Sequence, residues 1–148
     1  MALHPSAGCV ISLVLCVLFV PPASAVEVQD LKAFTPLFGR YAPSGDCKRQ
    51  PQVRVDAGGM SFDVAGKTER VTRLEFAASY GGNFYEGTSQ WFFPFGTPGD
   101  WPVLMTFNAG EQAGTMTIEG HDQGWKGGPP LSPRHRSLVD GSPYRRCD

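Results

Sequence analysis

Val53-Arg54-Val55-Asp56-Ala57-Gly58-Gly59-Met60-Ser61-Phe62-Asp63-Val64 is the stretch that decides the fold. Val53 and Val55 share one face of an extended segment, and Met60, Phe62 and Val64 share one face of the next. Asp56-Ala57-Gly58-Gly59 supplies turn residues between them. Period-two alternation on both sides of a Gly-rich turn is the mark of a β-hairpin. Working outward, Ala65-Gly66-Lys67 is a second tight turn into Thr68 to Tyr80, where Leu74, Phe76, Ala78 and Tyr80 are expected on one face. Gln90 to Phe95 and Pro102 to Phe107 read as two further strands joined by Gly96-Thr97-Pro98-Gly99-Asp100. Thr115-Met116-Thr117-Ile118 reads as another. Upstream, Asp30 is a possible N-cap, and Leu31, Phe34, Leu37 and Phe38 have helix-like spacing. Pro36 interrupts them, so one short helix ending at Gly39 is expected. Downstream, Ser132 as N-cap and Pro133 at the first helical position open a short helix that ends before Gly141.

These readings make the chain mainly β, a meander of six to eight antiparallel strands with short N- and C-terminal helices. An open sheet of that size exposes unpaired edges, so a small antiparallel barrel or a strongly bent sheet is expected.

Met1 to Ala25 contain no Lys, Arg, Asp or Glu. An apolar run from Cys9 to Val20 precedes Pro21-Pro22 and Ala23-Ser24-Ala25, the order of a signal peptide with an A-x-A cleavage site. The run is too short for a membrane span and has no basic flank, and neither Cys16 nor Cys9 sits where a lipid-anchored cysteine would. The expectation is a leader over 1–25 and a single β-rich domain over 26–148, periplasmic or secreted, with no stable membrane anchor. Removing 25 residues from 148 leaves 123, enough for one core. All 13 basic and 14 acidic residues fall in that part, so its net charge is −1, and nucleic acid is not an expected partner. Its two cysteines, Cys47 and Cys147, allow one intramolecular disulfide, and export favours its oxidation.

Candidate chemistry is sparse. His121-Asp122 could serve as an acid–base or metal pair, but the plainer reading is a turn dipeptide in a Gly-rich loop. His135 is the only other histidine after the leader, and no ligand spacing for zinc is present. Neither metal nor cofactor is therefore expected. Ser89 in Gly87-Thr88-Ser89-Gln90-Trp91 lacks the nucleophile-elbow pattern. Phe84, Tyr85, Trp91, Phe92, Phe93 and Phe95 could line a ligand pocket or fill a core. Because Trp91 to Phe95 puts rings on both faces of one strand, one face must be covered by the N-terminal helix, the C-terminal segment or a partner. Ala78-Ser79-Tyr80-Gly81-Gly82-Asn83-Phe84-Tyr85-Glu86-Gly87 has the composition of a protein-binding loop, with tyrosine for area and serine and glycine for adaptable contacts. A plain hairpin connection remains open beside it. Binding candidates are therefore Ser79, Tyr80, Asn83, Tyr85 and Trp91, with His121 and Trp125 of the Gly120–Pro130 loop behind them. Arg134, Arg136, Arg145 and Arg146 form a local basic group near the end of the chain.

The order of these features resembles the periplasmic inhibitors of C-type lysozyme. Those are small antiparallel barrels with an early cysteine bonded to a late one and a Ser-Gly-x-x-Tyr loop before an aromatic strand. Cys47, Cys147, the Ser79 to Tyr85 loop and Trp91-Phe92-Phe93 are the counterparts. The match departs where Tyr80 and an extra residue separate Ser79 from its neighbours. It departs again at Pro94-Phe95-Gly96, where the family carries a lysine. The resemblance implies that Ser79 enters a hydrolase cleft and meets its catalytic carboxylates, with Tyr85 in support. As a whole, with Arg40-Tyr41-Ala42-Pro43 and Gly141-Ser142-Pro143-Tyr144, the chain looks like an uncharacterised exported proteobacterial family.

The function expected is thus a non-enzymatic binding or inhibitor module acting on an envelope protein or lysozyme-like hydrolase. A carrier with an aromatic-lined barrel and an enzyme with a dispersed site are the alternatives.

Overall fold

The computed structural model describes residues 25–79, 85–97, 100–121 and 130–147. The leader expected over 1–25 lies outside them except for Ala25. Ten strands follow in chain order: β1 Val26–Val28, β2 Gly39–Pro43, β3 Gln52–Asp56, β4 Gly59–Val64, β5 Lys67–Val71, β6 Leu74–Ala77, β7 Gln90–Phe93, β8 Val103–Phe107, β9 Thr115–Gly120 and β10 Tyr144–Arg146. One α-helix, α1, spans Pro133–Asp140. The strands form a single antiparallel sheet in the order β1-β6-β7-β8-β9-β10-β2-β3-β4-β5.

That order dictates the curl. β5 and β6 are joined by only Thr72-Arg73, yet they stand eight inter-strand steps apart in the sheet. Laid flat, eight steps would separate them by about 38 Å. Three Cα-to-Cα steps from Val71 to Leu74 reach at most about 11 Å. The sheet must bend back on itself, and it forms a curled half-barrel. Thr68 to Tyr80 is therefore not one strand, because β5 pairs with β4 while β6 pairs with β1 and β7.

The β3–β4 hairpin runs in register from Gln52 opposite Asp63 to Asp56 opposite Gly59. Its turn is held by the Asp56 carboxylate, which accepts the Gly58 N–H at 2.8 Å. Gly59, at φ +134°, lies so close to β5 that a Cβ would run into the Val71 carbonyl. Asp56 also takes a two-pronged ion pair from Arg70 of β5, at 2.6 and 3.0 Å. That guanidinium holds the Asp56 carboxyl below its ordinary pKa.

The inner face is filled. Tyr41, Phe62, Phe92, Phe107 and Tyr144 are fully buried beside Met60, Met105, Met116 and Ile118. Phe92 meets Phe107 edge-on at 5.7 Å, and Tyr41 meets Phe107 at 5.5 Å. The N-terminal helix forms as a 3-10 segment, Lys32–Leu37, rather than an α-helix. Leu31, Phe34 and Leu37 are three apart, the period that aligns side chains on a 3-10 helix, and Pro36 withholds an N–H from any longer ladder. Asp30 does not cap this segment as N-cap; it accepts the Lys32 N–H at 3.2 Å one residue earlier. Phe34 then lies against Phe76 and Phe92 at 5.0 and 5.1 Å.

α1 begins as its sequence dictates: Ser132 Oγ accepts the His135 N–H, and Pro133 follows the cap. Two buried tyrosines tie the helical segments to the sheet. Tyr41 donates to the Leu37 carbonyl at 2.9 Å, and Tyr144 to the Leu138 carbonyl at 2.7 Å. Burial pushes the Tyr144 phenol above its ordinary pKa. Cys47 and Cys147 are bonded, with Cα atoms 5.8 Å apart. The bond fastens the turn after β2 to the residue after β10, beside the antiparallel pair that these two strands make.

Candidate functional site

The loop between β6 and β7 is described at its two ends, and Tyr80 to Phe84 lie outside the described residues. Ser79 is half-buried at one end. At the other end Tyr85 is committed to its own chain. Its hydroxyl accepts the Ser89 N–H at 2.9 Å, and its ring meets Trp91 edge-on at 4.8 Å.

A second set of bonds fastens the same segment to the turn after β8. Glu111 Oε2 accepts the Thr88 N–H at 2.7 Å and the Thr88 hydroxyl at 2.8 Å. Asn108 Nδ2 donates to the Thr88 carbonyl at 3.0 Å. Ser89, 8% exposed, donates its hydroxyl to the Asn108 carbonyl at 2.9 Å, with Glu111 Oε1 at 3.1 Å alongside. Gly87 is required here because a Cβ would collide with the Tyr85 hydroxyl and the Glu111 carboxylate. The result is a polar clamp at the root of the loop. Ser89 takes part as a buried hydroxyl facing a carbonyl and a carboxylate, with no histidine beside it. Sequence reading singled out Tyr85, weighed Ser89 only as a nucleophile and set it aside, and missed Thr88, Asn108 and Glu111. The polar turn around Gly110 was the available signal, but nothing local ties it to a serine some 20 residues earlier.

Within β7 the aromatic residues divide by strand alternation: Phe92 enters the inner core, while Trp91 and Phe93 face outward into a smaller cluster with Ala77, Leu104 and Trp101. Phe95, beyond the end of the strand, departs from that alternation and also enters the inner core. Phe93 is only 4% exposed, because the Trp101 ring stacks on it at 4.5 Å and His121 meets it edge-on at 5.4 Å. Trp101, from the β7–β8 connection, covers this outer face. The inner face is covered as expected, by Phe34 of the N-terminal helix and by α1, whose His135 ring stacks on Phe95 at 4.6 Å. The Trp101 indole Nε1 is buried with no hydrogen-bond acceptor among the described residues.

His121 thus stands among rings. Asp122 and Trp125 lie outside the described residues, as does Asn83. Among the described residues no group of three or more His, Cys, Asp or Glu is placed to hold a metal ion. Beside the outer cluster, Glu27 of β1 stands directly opposite Glu75 of β6. Burial, and secondarily Glu27, pushes the Glu75 carboxyl above its ordinary pKa. Burial also lowers the His135 pKa, against an opposing pull from Glu69.

No protein-family model, no curated protein and no solved structure matches this chain.

Proposed function

We propose that the chain is an exported binding or inhibitor module that engages an envelope protein, with a lysozyme-like hydrolase the first candidate, through the β6–β7 loop. One observation carries this reading: the root of that loop is braced by Tyr85, Gly87, Thr88, Ser89, Asn108 and Glu111. A loop held at its base loses less conformational entropy when it meets a partner, which is what a protein-binding loop needs. Tyr85 acts in this reading as the anchor of the loop, and Ser79 at the opposite end is the residue left to touch the partner. The filled inner face supports a loop-mediated role over a carrier, since Phe62, Phe92 and Phe107 occupy the space a ligand would need.

The test is a pull-down from envelope extract together with a lysozyme activity assay, using the parent protein and Ser79→Ala. Retention of a partner or loss of lysozyme activity with the parent, weakened in Ser79→Ala at unchanged melting temperature, is the expected result. Equal binding by both proteins would remove the loop from the interface.

A further inference from the structure

α1 is held down at both ends, by groups of different kinds. At its C-terminal end the buried Tyr144 hydroxyl donates to the Leu138 carbonyl, and Leu138 is itself fully buried. At its N-terminal end Arg134 reaches Glu69 of β5 at 2.9 Å and donates to the Phe62 carbonyl of β4 at 2.7 Å. The neighbouring His135 ring lies on Phe95 at 4.6 Å, 29° from parallel. Phe95 in turn meets Phe62 at 4.7 Å, so His135 caps a stack of rings that runs into the core. The N-terminal turn of the helix therefore rests on a ring that can take a proton, whereas the C-terminal end does not.

The surroundings of His135 are already cationic. β5 presents Glu69 and Arg70 to it, the β5–β6 connector presents Arg73, and the Pro94–Gly96 segment brings no charge. From its own helix Arg134 and the exposed Arg136 flank it. Arg70 is balanced by Asp56, and Glu69 is taken by Arg134. Three guanidinium groups, on Arg70, Arg73 and Arg134, thus stand against two carboxylates, and the balance is positive before His135 takes a proton. Burial lowers the imidazole pKa below its ordinary 6.5, Glu69 draws it back, and Arg134 adds to the lowering.

We infer that α1 is an acid-released strap: a proton on His135 loosens the N-terminal turn of the helix from Phe95 and the β5 edge, while Tyr144 keeps the C-terminal end docked. The undocked imidazole meets water and binds a proton more readily than the docked one. Docking is therefore intact above the ordinary histidine pKa of about 6.5 and weakens as pH falls through the lower value of the docked ring. Release uncovers Phe95, which is only 8% exposed while the strap is down. The strap is separate from the β6–β7 loop and acts whether or not that loop binds a protein.

Two NMR measurements on the full chain test the inference. The His135 imidazole signals, followed across pH, should titrate with a midpoint below 6.5. Between pH 7.5 and 5.5 the opening equilibrium of the Arg136 and Ser137 amides, read by hydrogen exchange and corrected for the intrinsic rate, should rise at least about threefold. The amides of the β3–β4 hairpin should not follow. His135→Phe keeps a ring on Phe95 and removes the proton site, so its α1 amides should stay equally protected over that range. The inference fails if His135 titrates at or above 6.5, or if α1 and the hairpin respond alike. It also fails if His135→Phe loses α1 protection with falling pH as the parent does. Should that variant not fold, the titration and the exchange of the parent decide alone.

Discussion

Tyr85→Phe removes one oxygen and leaves the ring, so it isolates the hydrogen bond at the root of the β6–β7 loop. The Tyr85 hydroxyl accepts the Ser89 N–H at 2.9 Å in a part-buried position, and Ser89 is 8% exposed. With the oxygen gone, that amide loses its Tyr85 acceptor, and Glu111 Oε2 is already occupied by Thr88. Stranding a buried donor costs about 1–3 kcal/mol, and the half-buried position of Tyr85 places this case near the lower half, about 1.5 kcal/mol. For a domain of this length 1 kcal/mol corresponds to about 3–5 °C, so the melting temperature should fall by about 4–7 °C. Circular dichroism melts give that shift, and amide hydrogen exchange gives its location, with Ser89 losing protection while the β3–β4 hairpin keeps it. A melting temperature within a degree of the parent, together with a Ser89 amide as slow as before, would show that the clamp carries no energy. The argument for a braced loop would then go with it.

Three further outcomes follow from the same geometry. Asp56 has a depressed pKa through Arg70, so its stabilisation is present above the unfolded carboxylate pKa of about 4 and is lost as pH falls through the folded value. The pair is partly exposed, so Asp56→Asn should cost under about 1 kcal/mol at pH 7 and nothing in strong acid, as read by urea midpoints across pH. Glu75 has the opposite sign: its raised pKa means that stability is lost as pH rises past about 4, so Glu75→Gln should raise the melting temperature at pH 7. A gain of about 0.5 kcal/mol is expected, and none at low pH. Cys147→Ser opens a disulfide whose cysteines are 100 residues apart and should cost up to about 4.7 kcal/mol, seen as a lower denaturant midpoint that reductant no longer shifts.

What could be read in advance was whatever is encoded locally. The β3–β4 hairpin announces itself because Asp56 and Gly59 make its turn and the valines, Met60 and Phe62 alternate beside it. α1 is legible because Ser132 and Pro133 are adjacent cap signals. β1 and β10 were not legible, since three residues are too few to show a period, and β2 hides behind Gly39 at one end and Pro43 at the other. Their identity as strands comes from their partners: β10 exists because β2 and β9 flank it. The site divides in the same way. Tyr85 stood out by composition, but its acceptor role depends on a turn geometry no pattern encodes, and Glu111 reaches Thr88 across 23 residues.

The two outer strands of the sheet are built against further pairing. β5 carries Lys67, Thr68, Glu69 and Arg70, all exposed, a charged edge that resists pairing with another strand. β1 at the other end is only three residues long and carries Glu27 against Glu75, which also weakens it as a template. α1 packs beside the β5 edge, with Arg134 reaching Glu69 of β5 and the Phe62 carbonyl of β4, and His135 resting on Phe95. A longer, apolar β5 would offer a template for pairing with another chain, which its charged residues deny. Replacing Glu69 and Arg70 together with threonine and valine should therefore promote self-association, read by sedimentation at rising concentration, whereas a variant as monomeric as the parent would show that these charges do not guard the edge.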